Sequence, residues 1–406
     1  MTFTILHGNN LEVLPTLADN SVDSIVTDPP YELGFMGKGW DSSGIAYSVQ
    51  LWTECLRVLK PGGHLLSFGG TRTFHRVAVA IEDAGFEIRD NIAWLYGSGF
   101  PKSLDVSKAI DKAAGVEYKA EPAAGVGFMN SSADGYNTTL NQLTRVGEST
   151  PEAEKWNGWG TALKPAHEPI IVARKPLEGT VANNVLTHGT GALNIDGSRI
   201  ASSDSLFRTG SVASPENQTM HDGWQSPWRS DPEKVAEANQ RTREKSLIAD
   251  KLGRWPANII LDEHTAGLLD GQSDASRFFY VAKASKRDRN EGLEGLPKSQ
   301  PVGGADKWTE TNRRRGEGVT REPSSNFHPT VKPTALMEYL VKLVTPPNGT
   351  VLDPFTGSGS TGKAAILNGF DFIGIEMTED YLPIIKARLQ HAETEFAEAD
   401  ADKGLF

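Results

Sequence analysis

Two short stretches combine residue types that could do chemistry. The first is Thr27-Asp28-Pro29-Pro30-Tyr31. Consecutive prolines stiffen the turn, so a carboxylate and an aromatic ring are held in a fixed relation. Such a pair can accept hydrogen bonds from a small polar group and stack on a flat one; an ordinary turn is the plainer reading. The second stretch is Asp353-Pro354-Phe355-Thr356-Gly357-Ser358-Gly359-Ser360-Thr361-Gly362. A strand that runs into a glycine-rich turn and then a helix lets the backbone approach a cofactor closely. The dinucleotide fingerprint fits only loosely, and Ala364 after Lys363 departs from a phosphate-binding P-loop. Alone, this loop could be a tight turn and nothing more. Glu376 ends the next strand pattern about 17–20 residues on, where an acidic side chain can hold ribose hydroxyls. Loop and acid together point to an adenosine-containing cofactor.

The elements that must position these stretches alternate. Residues 3–7 read as a strand, Leu11, Leu14 and Leu17 as a helical face, and residues 22–27 as a buried strand ending at Asp28. Residues 49–59 read as a helix stopped by Pro61-Gly62-Gly63. A strand at 64–68, a helix at 74–84 capped by Gly85 and a strand at 88–95 follow. Near the other end, 335–344 reads as helix and 350–352 as the strand entering the glycine loop. A helix to about 368, a strand at 372–375 ending at Glu376 and a closing helix at 381–396 complete the pattern. This alternation predicts an α/β fold, a doubly wound and mostly parallel sheet with helices on both faces. Between these ends the pattern dissolves over 117–159 and 201–250, with one further strand pattern at 170–173. Loops this long in a compact domain are commonly functional or disordered.

Composition narrows the class. A chain of 406 residues with 38% hydrophobic and 23% charged residues can bury one large core or two modest ones. No apolar run approaches the roughly 18–20 residues of a membrane span, and the N-terminus lacks the basic and apolar regions of a secretory signal. Cys55 is the single cysteine, which excludes an internal disulfide framework and a multi-cysteine zinc site. No metal site is expected, and a reducing cytoplasm, bacterial or phage-infected, is the expected location. Cys55 lies in the helical pattern Leu51, Cys55, Leu56 and Leu59 and reads as core. The net charge of −11 speaks against a nucleic-acid partner on average. Yet residues 277–321 hold eleven Lys and Arg against six Asp and Glu, and a local patch is what meets phosphates. Arg313-Arg314-Arg315, flanked by Lys307, Trp308 and Arg321, reads either as a solvated face or as phosphate contacts, with the weight towards phosphate. His328 reads as a packing or capping residue. Trp224 and Trp228 remain open between loop packing and no identifiable role.

The order of the two stretches, with Phe327-His328-Pro329-Thr330-Val331-Lys332-Pro333-Thr334 ahead of the second, resembles the amino-group DNA methyltransferases. These are the adenine-N6 and cytosine-N4 enzymes, here in the permuted order with the catalytic motif first. Ser21-Val22-Asp23 and Leu59-Lys60-Pro61-Gly62-Gly63 match as well, so the resemblance covers about 1–115 and 325–392. Tyr96-Gly97-Ser98-Gly99-Phe100-Pro101-Lys102 and His188-Gly189-Thr190-Gly191 are similar to the phage and prophage branch. The resemblance implies a Rossmann-like S-adenosylmethionine methyltransferase core: a catalytic half over 1–116 and a cofactor-binding half over 326–392. Inserted segments with a target-recognition region would fill 117–325, around one core strand near 166–175; by composition, the acidic run Glu393, Glu395, Glu398, Asp400 and Asp402 reads as a solvated helix end or as a tail over 393–406.

It further implies that Asp28, Pro29, Pro30 and Tyr31 are catalytic and that Asp353, Phe355, Gly357, Gly359 and Glu376 bind cofactor, with Thr330 and Lys332 near its methionine end. Asn9, where many relatives carry an acidic residue, is counted with the cofactor residues for its ability to bond an adenine edge. Lys307, Arg313, Arg314, Arg315 and Arg321 would contact DNA. The Asp28 carboxylate and the Pro29 carbonyl would each accept one amino hydrogen, and Tyr31 would stack on the flipped base. Direct in-line methyl transfer then needs no covalent intermediate, and the core reading of Cys55 speaks against cytosine C5 chemistry. Asp at the first motif position favours adenine N6 over cytosine N4, where Ser is usual. Protein glutamine methylation, with a similar Pro-Pro-Tyr motif, usually has Asn first and its cofactor loop ahead of the motif. A non-catalytic DNA-binding relative would show decay of Asp28, Tyr31 or the glycines, and none has decayed. The implied partner is double-stranded DNA, with no membrane; a homodimer is compatible with the chain, and whether a restriction endonuclease accompanies it is not written in this sequence.

Overall fold

The central strands are apolar on both faces. In β2 (Val22–Thr27) Ile25 and Val26 point to opposite sides, as do Leu65 and Leu66 in β3 (Leu59–Phe68). A strand must therefore be covered twice, and the period of two sends alternate residues into two cores. One core gathers Val26, Leu66, Phe68, Leu340, Val351 and Phe372; the other gathers Ile25, Leu51, Trp52, Cys55, Leu65 and Leu352. The structure, a computed structural model, describes residues 1–33, 39–97, 103–122, 141–146, 148–201, 231–283, 288–298 and 325–403.

The remaining strands are β1 (Phe3–His7), β4 (Glu87–Leu95), the hairpin β5 (Glu117–Pro122) and β6 (Asn141–Val146), β7 (His167–Arg174), β8 (Ile259–Asp262), β9 (Tyr280–Ala282), β10 (Thr350–Asp353) and β11 (Asp371–Glu376). Nine of them form one sheet in the order β1-β11-β10-β2-β3-β7-β4-β8-β9. All neighbours pair in parallel except β7, which runs against both β3 and β4. The doubly wound, mostly parallel sheet is thus present, and the strands expected at 3–7, 22–27, 88–95, 170–173 and 372–375 all lie within it.

Three expectations need correction. The helix Val49–Val58 does not end at Pro61-Gly62-Gly63; β3 begins at Leu59 and runs through them. Gly62 makes this workable, because its φ of +76° lets the strand bulge, where the pairing with β2 shifts register. A side chain there would also strike Asn184, whose amide donates to the Pro61 and Thr190 carbonyls at 2.9 and 2.7 Å. The His188-Gly189-Thr190-Gly191 stretch therefore clamps the bulge. The second correction is the span 176–325, expected as insertion: β8 and β9 extend the main sheet from within it. With only four and three residues, they are too short to show a period of two. Third, of the two readings of the acidic run beyond 393, the helix end holds and the separate tail does not, because the run continues the helix Leu382–Lys403.

Candidate active site

In a parallel sheet the carboxyl ends of the strands share one edge, and ligands bind there. Along that edge lie His7 of β1, Glu376 of β11, Asp353 of β10 and Thr27 of β2. Because β7 is antiparallel, its opposite end comes to the same edge, with Ile170 level with Phe68 and Glu168 just beyond. A cavity of about 700 Å³ opens over this edge, and its wall includes Asn9, Asp28, Tyr31, Glu168, Lys332 and Phe355.

The glycine loop is held by its two acids. Asp353 is 2% exposed; it accepts from the Thr27 hydroxyl at 2.6 Å and the Phe355 amide at 3.0 Å, and burial pushes its carboxyl up to about 6. It ties β10 to the strand that carries the catalytic motif, so its first role is to hold the two stretches in register. Glu376 accepts from the Gly357 amide at 2.8 Å with one oxygen and from the Thr378 amide at 2.8 Å with the other. Burial raises its carboxyl above the usual range, and these backbone amides work against that. Gly357 has φ +55°, and a Cβ on it would lie 3.0 Å from His328 Nε2. Gly359, φ +78°, would meet Leu389 at 3.1 Å. Phe355 adds an apolar wall. Gly357 thus brings backbone to the cavity beside a carboxylate able to take further donors, whereas Gly359, expected at the cofactor, turns towards Leu389 and Ile385 of the core and does not border the cavity.

Asn9 borders the same cavity, but its side chain already accepts from the Leu11 amide at 3.0 Å and caps the helix Asn10–Val13. Thr330 also borders it. His328, read as a packing residue, packs edge-to-face on Tyr381 at 4.6 Å between ring centroids and bonds the Thr330 carbonyl through Nδ1. Its burial in the wall pulls its pKa down to about 4.

The catalytic motif is organised around Lys332. Its ammonium lies 2.6 Å from Asp28 Oδ2, 3.3 Å from Glu168 Oε2 and 3.3 Å from the Tyr31 hydroxyl, with the Phe68 ring 4.8 Å below. Burial works against this charge, but the carboxylates of Asp28 and Glu168 outweigh it and hold its pKa above the ordinary lysine value. Lys332, expected at the methionine end of a cofactor, borders the cavity and reaches the Asp28 carboxylate. Tyr31 donates to Glu168 at 2.7 Å, and its carbonyl accepts from Thr73 at 2.8 Å, which fixes the ring at both ends. Burial and the two neighbouring carboxylates raise the Tyr31 pKa well above its usual value. The other oxygen of Asp28 is buried and has no hydrogen-bond partner among the described residues. Such an orphaned acceptor in a cavity wall is a place for a donor that arrives with a ligand.

Glu168 was missed by sequence reasoning. Its one sign was a charged residue, His167-Glu168-Pro169, leading into an apolar strand. Cys55 is buried in the core as expected, and burial pushes its thiol above its usual range. The expected DNA contacts Lys307, Arg313, Arg314, Arg315 and Arg321, and likewise Trp224 and Trp228, lie outside the described residues.

The family model N6_N4_Mtase, described as DNA methylase, matches residues 22–387. The putative methylase YubD of Escherichia coli (strain K12) is 40% identical over 82 residues, 20% of this chain and 36% of that protein. The DNA adenine methyltransferase YhdJ of the same organism is 44% identical over 71 residues, 18% of this chain and 24% of that protein. The chain thus matches only about a third or less of the length of these relatives. Among solved structures, the PvuII DNA methyltransferase (cytosine-N4-specific) has a TM-score of 0.45 and 13% identity, covering 96% of this chain and 86% of that one. That likeness is too distant to bear on the site.

Proposed function

This chain belongs to the DNA methylase family N6_N4_Mtase, and on that premise we propose that it methylates the N6 amino group of adenine within a specific sequence of double-stranded DNA. The observation that carries the reading is the buried Asp28 Oδ1 at the cavity edge, without a hydrogen-bond partner among the described residues and held in place by the Lys332 ammonium on Oδ2. An exocyclic amino nitrogen is a poor nucleophile because its lone pair is delocalised into the ring. Asp28 Oδ1 accepts one of its hydrogens and the Pro29 carbonyl accepts the other, which favours a pyramidal nitrogen with an available lone pair. Both acceptors are fixed before the substrate arrives, so little reorganisation is needed. Pro30 keeps the turn rigid, and the Tyr31 ring stacks on a base flipped from the duplex, an extrusion that costs a few kcal/mol.

The residues present fit S-adenosylmethionine. Gly357 leaves room where a side chain would intrude, Glu376 offers carboxylate oxygens for ribose hydroxyls, and Phe355 with Thr330 completes the wall. When bound, this cofactor supplies an electrophilic sulfonium methyl for direct in-line transfer, with no covalent enzyme intermediate. Support for adenine over cytosine comes from Asp at the first motif position and from the similarity to YhdJ, named as a DNA adenine methyltransferase.

The test is nucleoside mass spectrometry of unmethylated duplex DNA incubated with the protein and S-adenosylmethionine. N6-methyladenine is expected. N4-methylcytosine would change the target base, and no methylated nucleoside would overturn the reading.

A further inference from the structure

We propose that Glu168 is a positioning residue for amino methylation, acting through Lys332 to keep one oxygen of Asp28 open to the substrate. The inference rests on the methyl-transfer reading and concerns a residue that none of the motifs contains. It starts from an asymmetry. An ammonium alone beside a carboxylate is drawn towards both oxygens, since each carries half the charge. Here Lys332 takes only Oδ2 of Asp28, at 2.6 Å, and leaves Oδ1 buried without a partner among the described residues. A second carboxylate stands on the other side of the ammonium: Glu168 Oε2, at 3.3 Å.

Glu168 is itself anchored, because its Oε2 also accepts from the Tyr31 hydroxyl at 2.7 Å. The three side chains are largely withdrawn from water, with side-chain exposures of 10% for Lys332, 23% for Asp28 and 19% for Glu168. Charge interactions are weakly screened there, so two carboxylates share one ammonium and pull it to a point between them. Glu168 thereby prevents the lysine from closing over Oδ1, while the Tyr31 hydroxyl holds Glu168 in place. It does so without touching the reacting atoms.

The experiment measures single-turnover methyl transfer to unmethylated duplex DNA by the full chain, together with the dissociation constant of S-adenosylmethionine. Glu168→Gln keeps shape and a hydrogen-bond acceptor but removes the charge; it should slow transfer about 10–100-fold and leave cofactor affinity within about twofold. Glu168→Asp, which keeps the charge, should recover most of the rate. Because the effect passes through Lys332, Glu168→Gln combined with Lys332→Met should be no slower than Lys332→Met alone. A Glu168→Gln rate within threefold of wild type, a Glu168→Asp rate as low as that of Glu168→Gln, or additive losses would each overturn the proposal. If the wild-type chain methylates no DNA, the functional reading fails by itself. The crystal structure of Glu168→Gln then decides the positioning claim: Lys332 Nζ bridging both Asp28 oxygens supports it, and an unmoved Nζ contradicts it.

Discussion

At the scale of residues, the site is built from charges that cannot be separated cheaply. Asp28 and Glu168 share the single Lys332 ammonium, so removing Lys332 would leave two like charges facing each other, whereas removing Asp28 leaves a neutral pair but takes away the acceptor oxygen at the cavity. Asp28→Ala is therefore expected to reduce methyl transfer by at least about a thousandfold, while S-adenosylmethionine affinity changes by less than about threefold. Single-turnover rates and equilibrium dialysis read the two effects separately. Gly357→Ala should do the reverse. Its Cβ would lie 3.0 Å from His328 Nε2 at a φ of +55°, so cofactor binding should weaken more than about tenfold, with the loss seen by calorimetry. An unchanged dissociation constant would remove Gly357 from the cradle. Asp28, Glu376 and the glycines were legible because each sits in a short motif whose chemistry is local. Glu168 was not, because the hydrogen bond that defines it spans 137 residues and depends on the direction of one strand.

At the scale of elements, that strand is β7. Its apolar run was plain in the sequence, but an apolar run carries no direction, and the antiparallel turn between β4 and β7 passes through segments without periodicity. β3 shows a second limit, since Pro-Gly-Gly reads as a helix stop and a loop, while here a left-handed glycine lets the strand absorb it. The same pair of strands yields a prediction about pH. His64 of β3 faces Arg174 of β7, is 4% exposed, and has its pKa lowered to about 4 by burial, then by Arg174 and Arg89. The folded form holds it neutral, whereas the unfolded chain protonates it near 6.5. Its contribution to stability is thus fully present above pH 6.5 and is lost as pH falls towards 4. Asp353, raised to about 6 by burial, acts in the opposite sense, favouring the fold below pH 3.8 and losing that contribution as pH rises through 6. The comparison that isolates His64 is therefore between wild type and His64→Gln. Chemical denaturation at pH 7 and pH 5 should show a smaller loss of stability in the variant, and parallel pH dependences would refute the assignment.

For the molecule as a whole, a net charge of −11 stands beside a basic stretch at 277–321, where Lys and Arg outnumber Asp and Glu. No helix among the described residues is long and apolar enough to cross a membrane. We propose that Arg313, Arg314 and Arg315 contact phosphates; changing all three to Ala should lower the slope of log affinity against log salt by about 2–3, since each phosphate contact contributes close to 0.9. Fluorescence anisotropy with duplex DNA reads this slope, and an unchanged one would return the triplet to solvent.

The fold's two halves were legible at both ends of the chain, where alternation is regular, and the edge that joins them brings the two motifs within one hydrogen bond, Thr27 to Asp353 at 2.6 Å. Amino methylation of DNA at this edge through Asp28 is tested by nucleoside mass spectrometry of the same unmethylated DNA treated in parallel with wild type and with Asp28→Ala. N6-methyladenine is expected from the wild type and none above background from the variant. Equal amounts of methylated base from both proteins would contradict it.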